Sequence, residues 1–347
     1  MQTKNILPLM GLIILLLSGA ILVRQFIGLE INNSMDTYYT WVEGNRILEG
    51  ENPYSRIHTG NMQENRKYAT YFPLFYELSA LSVLLGLDTL SSWSIFWRTI
   101  ISIFHLEISI LIYVVFIKRG YTLLGLFSAL FWIFYRWPLY DLRFANIESI
   151  PIFFLIVSIL LFDQHPRFSL FMYSLSLAIK QIGIFLLPLF IIWILKNRKR
   201  DSIRSTLISV GLIASGPLIS SIPFLFWDLS GFVKSIWFSV TRQAASHMAA
   251  PSIDTLFHWE SFVGRLPMLT LLALFFILAW KTKIGKFSSA FIVMTVFIGY
   301  NPVLFLQYFT WMSVLVPLIL LDYLPDKNSK SAPKSNLLLQ NQADHQS

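Results

Sequence analysis

The run ILPLMGLIILLLSGAILV, residues 6–23, is an uncharged apolar segment long enough to cross the hydrocarbon core of a bilayer as a helix. Similar runs, separated by short polar segments, make up most of the 347 residues, and the chain is 55% hydrophobic and only 13% charged. Backbone inside a bilayer must satisfy its own hydrogen bonds, and these runs have the length of helices. The first run is long for the apolar part of a signal peptide and lacks a clear cleavage pattern after it. The sequence therefore predicts an all-α, polytopic transmembrane helical bundle.

The basic residues predict the orientation of this bundle. The formal net charge is +8, and Lys and Arg cluster in short segments near 118–119, 167, 196–204, 281–286 and 327–334. Basic loops stay on the cytoplasmic side of a membrane. We therefore expect both termini in the cytoplasm, membrane lipids as partners, and no nucleic-acid partner.

The same rule sets the number of crossings. The apolar stretch 72–87 is ambiguous, because an eleventh crossing there would turn the later basic segments outward. We therefore predict that 72–87 is a juxtamembrane helix in the outer leaflet. The ten predicted crossings lie near residues 6–27, 92–117, 121–140, 147–162, 168–181, 183–195, 206–226, 266–280, 287–304 and 307–324.

The chain is predicted to form one transmembrane domain, residues 1–324, in the cell membrane. Two outer loops, 30–71 and 228–266, lie on the non-cytoplasmic side. The tail, 325–347, is rich in Ser, Asn, Gln and Lys and is predicted to be a disordered cytoplasmic segment. The polar residues that could take part in binding or catalysis are expected to gather on the outer face, so a functional site is predicted there.

Asp36 is the first candidate for chemistry, because it lies a short distance beyond the first crossing, with Tyr38 close behind. One interpretation is an interfacial carboxylate within an aromatic belt, which is common at helix ends. The other is a general base that takes a proton from an acceptor hydroxyl at the membrane surface. The residue types alone leave both open.

The first outer loop also has the composition of a sugar site. The sequence Asn52-Pro53-Tyr54 predicts a turn, and His58 and Tyr71 follow before the juxtamembrane helix. Aromatic rings suit the apolar faces of a sugar, and amide and imidazole groups suit its hydroxyl edges. The alternative is an ordered loop whose aromatic rings pack on the bundle.

Ionisable residues inside the predicted crossings are functional candidates by default. Arg98 or His105 could form a structural pair with Glu107. Lys180 has no carboxylate nearby in sequence, so it either extends to the headgroups or binds a ligand. Together with the two arginines at the outer end of the third crossing, it could hold a lipid phosphate. The candidate arginines are Arg136 and Arg143, and the candidate sugar- or acceptor-binding residues nearby are Asn146 and Glu148.

The sequence predicts no cofactor. It contains no Walker A loop, Rossmann glycine pattern, His-Glu-x-x-His or Gly-x-Ser-x-Gly motif in a usable context, which argues against nucleotide-driven chemistry. The absence of cysteine excludes disulfides and cysteine-bound metal. Binding of a divalent metal through oxygen ligands stays open.

An ordered set of motifs resembles the GT-C superfamily of integral-membrane glycosyltransferases. The chain is similar in particular to the polyprenol-phosphate-mannose-dependent mannosyltransferases of family 87 and to the catalytic subunit of GPI mannosyltransferase I. The set covers about residues 30–320 in the family order. The motifs are Asp36-x-Tyr38, Trp41 followed after eight residues by Gly50-x-Asn52-Pro53-Tyr54, Tyr71-x-Pro73-Leu74-Phe75, Arg143-x-x-Asn146-x-Glu148-Ser149, Ala178-Ile179-Lys180, and Gln307-Tyr308-x-x-Trp311 followed after five residues by Pro317.

The resemblance implies a hexosyl transfer, with mannose the expected sugar, from a polyprenyl-phosphate donor to a glycan or glycolipid acceptor on the non-cytoplasmic face, with inversion. It implies that Asp36 is the base. From their charges we expect Lys180, Arg143 and Arg136 to bind the donor phosphate, and we expect Tyr38 and Gln307 to join the other candidates that bind the sugar or acceptor. The GPI-type enzymes carry two acids at the first loop, whereas this chain has Ser34-Met35-Asp36.

Two other functions remain open. In a lipid or sugar transporter or flippase of the cell envelope, the charged membrane residues would line a translocation path. A non-catalytic scaffold of an envelope complex would not depend on any one of the charged residues. The absence of paired Gly/Pro-interrupted helices in matching halves argues against many transporter folds.

Overall fold

The structure is a computed structural model and describes residues 6–31, 35–60, 69–196, 203–241, 252–259, 262–301 and 303–328. Within these ranges the regular structure is entirely helical, so the predicted all-α class is confirmed. The α-helices are α1 (Ile6–Phe26), α2 (Asp36–Leu48), α3 (Leu74–Leu84), α4 (Leu90–Lys118), α5 (Thr122–Phe134), α6 (Arg136–Phe144), α7 (Ser149–Leu161), α8 (Pro166–Ile179), α9 (Leu187–Lys196), α10 (Ile203–Thr241), α11 (Ile253–Leu256), α12 (Leu266–Lys281), α13 (Lys286–Tyr300), α14 (Tyr308–Ser313), α15 (Leu315–Leu318) and α16 (Leu320–Tyr323).

Four of the described helices are long and apolar enough to cross a membrane, which identifies the chain as a membrane protein. They are Ile6–Phe26, Leu90–Lys118, Arg204–Ser239 and Val263–Lys281. The pair α5 and α6, bent by 43°, adds a fifth if it is counted as one broken span. Helix length thus supports four or five crossings, fewer than the ten predicted from hydropathy and charge.

The bend between α5 and α6 has a local cause. Tyr135 is extended, with φ −73° and ψ 146°, and separates the two helices. Pro138 follows three residues later and lacks the N–H that would otherwise bond to the carbonyl of Phe134. The predicted crossing 121–140 is therefore two helices, and the second continues to Phe144.

The predicted first outer loop contains a helix that the hydropathy pattern did not predict. The buried residues of α2 are Thr37, Thr40, Glu43 and Gly44, which recur at helical spacing but are polar or small. A hydrophobic-periodicity argument misses such a stripe, because the buried face carries no apolar side chains. Gly44 permits close packing on α3, since a Cβ there would lie 2.9 Å from the backbone nitrogen of Ala80.

The stretch 72–87 contains α3, an 11-residue helix about 16 Å long. It is too short to cross about 30 Å of hydrocarbon by itself. The second outer loop, predicted over 228–266, does not begin at Asp228, because α10 continues to Thr241 past a kink at that residue. The backbone N–H of Gly231 donates to Asp228 Oδ1 at 2.9 Å, so the carboxylate caps a new helical segment.

The beginning of the predicted tail is packed against the bundle. The backbone N–H of Lys327 donates to the carbonyl of Arg119 at 3.2 Å, and the Asn328 amide donates to the carbonyl of Lys118 at 2.9 Å. The rest of that prediction, residues 329–347, lies outside the described residues.

The contacts of the helix ends define two opposite ends of the bundle. At the basic end, Arg119 donates to the carbonyl of Leu324, and Asp322 accepts from Ser288 at the start of α13. Lys196 at the end of α9 donates to the carbonyl of Thr282. Lys286 pairs with Asp163 just after α7. The starts of α4, α7 and α14 and the ends of α1, α6 and α8 lie at the other end, which is the polar-site end.

Candidate functional site

Asp36 lies at the junction of three elements at the polar-site end. It is the first residue of α2 and is partly exposed. Gln307, just before α14, donates from Nε2 to Asp36 Oδ2 at 3.0 Å. The neighbouring Thr37 hydroxyl donates to the carbonyl of Ala145 after α6. These bonds fix the carboxylate between α2, α6 and α14 although the contributing residues are far apart in sequence.

A buried ion pair lies close to this carboxylate. Lys180 directly follows α8 and donates from Nζ to Oε1 of Glu148, which directly precedes α7. Trp311 of α14 donates from Nε1 to the other oxygen, Glu148 Oε2, at 2.5 Å. Glu148 is 0% exposed and Lys180 is 2% exposed. Because removing both charges from water is costly, the pair persists through direct compensation and these added hydrogen bonds.

The ion pair and Asp36 form one electrostatic cluster. The negative charges of Glu148 and Asp36 both act on Lys180. The Tyr71 ring, partly exposed, lies 5.0 Å from Lys180 Nζ in a cation–π arrangement. We call Asp36, Tyr71, Glu148, Lys180 and Gln307 the polar cluster. Its members come from five separate segments of the chain.

A second carboxylate, Asp141, lies beside the polar cluster and was not among the sequence-based candidates. It is 0% exposed, and the Asn146 side-chain amide donates to its Oδ1 at 2.9 Å. The charges of Glu148 and Lys180 act on it. Its position directly after the predicted crossing 121–140 was the signal that could have identified it, because an ionisable residue at the end of a crossing and next to a buried segment requires a reason.

Asn146 is held in place by the end of α6. Ala145 adopts the left-handed conformation with φ 53°, and the Asn146 N–H donates to the carbonyl of Asp141 at 2.9 Å. The Ala145 N–H donates to the carbonyl of Leu142 at 3.4 Å. This is the Schellman arrangement that ends helices. It turns the chain sharply, so that Asn146 and Glu148 both enter the buried region next to the cluster.

Three predicted sugar-binding residues build the first loop instead of joining the polar cluster. Asn52 Oδ1 accepts from the backbone N–H of Tyr54 at 2.9 Å, which is an Asx turn. Tyr54 is fully buried and donates from its hydroxyl to the carbonyl of Tyr71 at 2.7 Å. Burial raises the pKa of Tyr54 well above its usual range, which keeps this donor protonated. His58 Nε2 lies 3.0 Å from Asp228 Oδ2 of α10.

Tyr38 also lies outside the polar cluster. Its ring centroid is 5.2 Å from that of Tyr39 and 6.1 Å from that of Trp41, and it packs on the apolar cluster around Trp93. On a helix, Tyr38 points away from the direction taken by Asp36 because the two residues are two positions apart. The aromatic side chains of this loop therefore mainly pack on the bundle, which is the alternative to a sugar site that the sequence left open.

The two arginines predicted to join Lys180 lie on the exposed side of α6. Arg136 is stacked 4.6 Å from the Trp137 ring centroid, and Arg143 lies 5.7 Å from that of Phe144. Lys180, in contrast, is buried and paired with Glu148. The three cations are separated because α6 is amphipathic, with Asp141 on its buried face and both arginines on the other.

The pairing of Arg98 or His105 with Glu107, which the sequence left open, is not formed. Arg98 donates to the carbonyl of Leu142 at 3.0 Å and to that of Arg143 at 3.3 Å, so it caps the end of α6. Glu107 is exposed on α4, whereas His105 is buried. Residues Arg98 and His105 face the bundle and Glu107 faces away from it, which keeps the charges apart.

Neither a search for metal-binding groups nor comparison with known proteins assigns a function to the site. Within the described ranges, no three His, Asp or Glu side chains are grouped in a way that could hold a metal ion. No family model, no curated protein and no solved structure matches the chain. The chemistry of the polar cluster is thus the main basis for inferring what the protein does.

Proposed function

We propose that the protein is an integral-membrane glycosyltransferase that moves a hexose, with mannose the first sugar to test, from a polyprenyl-phosphate donor to a glycan or glycolipid acceptor on the non-cytoplasmic face. The observation that carries the proposal is the convergence of the polar cluster. Asp36 and Gln307 are in contact across 271 positions of sequence, and Glu148 and Lys180 across 32. All five residues of the polar cluster belong to the motifs that resemble the GT-C superfamily.

Asp36 is assigned as the general base. It is partly exposed, unlike the fully buried Asp141 and Glu148, so it alone of the three carboxylates can meet an acceptor without rearrangement of the core. The acceptor hydroxyl proton passes to Asp36 as the oxygen attacks the anomeric carbon. The bond from that carbon to the phosphate oxygen breaks, and the polyprenyl phosphate leaves with the electron pair. Attack opposite the leaving group inverts the anomeric centre.

Lys180 is assigned the role of stabilising the negative charge on the departing phosphate. Its ammonium has three N–H donors, and Glu148 takes one of them. We propose that the donor phosphate reaches the remaining donors from the side of Asp36 and Tyr71, which are both partly exposed. A phosphate approaching from there is stabilised without separation of the ion pair. Arg136 and Arg143 are reassigned to lipid headgroups, because they are exposed on α6.

Ten crossings, with both termini cytoplasmic, remain our proposed topology. The short helices α7, α8 and α13, of 13 to 15 residues, each connect the basic end of the bundle with the polar-site end. At about 20 to 22 Å they are shorter than the hydrocarbon core, and the polar cluster recessed between their ends shortens the distance that they must span. The basic end faces the cytoplasm under the positive-inside rule.

Cysteine labelling tests this orientation. The chain has no cysteine, so Thr59→Cys, in the exposed part of the first loop, and Lys118→Cys, at the basic end, create single labelling sites. We expect an impermeant maleimide to label Thr59→Cys in intact cells and Lys118→Cys only after the membrane is permeabilised. The reverse pattern would overturn the orientation.

Transfer in proteoliposomes tests the function itself. Purified protein is supplied with radiolabelled polyprenyl-phosphate-mannose, or the glucose analogue, and a glycolipid extract as acceptor. We expect a new labelled glycoside of inverted anomeric configuration and release of polyprenyl phosphate. Movement of the labelled donor between leaflets without a new glycosidic bond would instead support the transporter alternative.

A further inference from the structure

The kink at Asp228 divides α10 into two segments, and the first of them, residues 203–227, already has the length of a membrane crossing. α10 has 39 residues, which corresponds to about 58 Å of helix, whereas a bilayer with its headgroups measures about 40–45 Å. Asp228 interrupts the helix with φ −156° and ψ 86°. We call residues 229–241 the arm. It lies at the polar-site end, because Ser235 contacts the carbonyl of Tyr54.

One face of the arm is buried against the first loop. The Phe232 ring centroid is 4.9 Å from that of Tyr54, and Phe238 packs on Ile57. At the kink, the Ser55 hydroxyl donates to Asp228 Oδ2 at 3.0 Å, next to the His58 contact. The loop segment 52–58 is therefore attached to the arm by both apolar and polar contacts.

The opposite face of the arm carries an exposed apolar stripe. Leu229, Val233 and Trp237 recur every four residues and are 59%, 52% and 65% exposed. Ser230 and Lys234 are also exposed and border the stripe. An apolar stripe next to a polar one, with a Trp and a Lys, is typical of a helix that lies in the interface of a membrane.

The stripe is continuous with the surface that the same helix presents to lipid. Ile219, Ile222 and Phe226 are 67%, 48% and 90% exposed on the segment of α10 that precedes the kink. The apolar surface thus continues past the kink, and residues 203–227 are by themselves long enough to cross the hydrocarbon core. A lipid surface explains both features.

We propose that the arm is an interfacial membrane anchor, whose partner is the headgroup and upper acyl region of the outer leaflet, and that it holds loop segment 52–58 at a fixed depth. Trp237 lies at headgroup level, Val233 and Leu229 enter the acyl boundary, and Lys234 reaches lipid phosphate. This assignment does not depend on the glycosyltransferase proposal.

Spin labelling in vesicles tests the anchor. Nitroxide labels are attached to Val233→Cys and, separately, Leu229→Cys, in vesicles of phosphatidylcholine and phosphatidylglycerol. Accessibility to oxygen and to a water-soluble nickel chelate is then compared. Both positions lie on the same apolar stripe, so if one variant fails to fold, the other still tests the anchor. Ser230→Cys is the matched aqueous control, and Ile219→Cys is the control within the hydrocarbon.

We expect Leu229 and Val233 labels to be at least threefold more accessible to oxygen relative to nickel than the Ser230 label, with values between the two controls. Equal nickel accessibility at positions 229, 230 and 233 would overturn the anchor. Low accessibility to both reagents at 229 and 233 would also overturn it, because it would indicate a protein partner on the stripe. None of these outcomes depends on whether the protein transfers a sugar.

Discussion

Asp36→Asn is expected to lower sugar transfer by about 10²- to 10⁴-fold, the range for loss of a positioned general base. Asparagine has nearly the same shape as aspartate, and its Oδ1 can accept the hydrogen bond that Gln307 Nε2 now donates to the carboxylate. The variant should therefore retain its fold and bind its donor but be unable to take the acceptor proton. The measurement is the turnover rate with saturating donor in proteoliposomes.

Glu49→Gln is the matched control for this experiment. Glu49 follows the other end of α2 and is exposed, so the same chemical change there removes a carboxylate that has no place in the cluster. Its turnover should be within about twofold of the unmodified protein, since surface substitutions of this kind have small effects. Near-normal turnover of a folded Asp36→Asn variant would reject the general-base role.

The positions of the long helices were predictable because the membrane imposes a simple pattern on the sequence. α4 was predicted over 92–117 and runs from Leu90 to Lys118, and α12 was predicted over 266–280 and runs from Leu266 to Lys281. In both cases an apolar run ends at a lysine, which marks the interface. No comparable signal marks α2, whose buried face is polar and small.

The pairing within the candidate site was less predictable, since it depends on how helices pack. One contact, between Glu148 and Lys180, could have been predicted from the sequence. α7 and α8 form an antiparallel hairpin around Gln164, and Glu148 and Lys180 each lie 16 positions from that residue. Residues equally far from such a turn meet across the hairpin, so a carboxylate partner for Lys180 could have been inferred. The contact of Asp36 with Gln307 has no such local rule.

Lys180→Met is expected to lower the free energy of unfolding by about 3–5 kcal/mol, the largest stability effect predicted for the chain. Methionine keeps most of the length and apolar volume of the lysine side chain but removes its charge. Glu148 would then be a fully buried carboxylate that retains the Trp311 hydrogen bond and loses its cation. Unfolding in mixed micelles with increasing SDS, followed by tryptophan fluorescence, measures the change.

A double-mutant cycle separates charge compensation from packing. Combining Lys180→Met with Glu148→Gln removes both charges, so most of the lost stability should return, because an unpaired buried charge is the main cost. Lys286→Met is the matched control: its pair with Asp163 is partly exposed, and such pairs contribute about 0–1 kcal/mol. If Lys180→Met were as stable as the unmodified protein, Glu148 would not depend on Lys180. Such a result would overturn the structural role assigned to the ion pair.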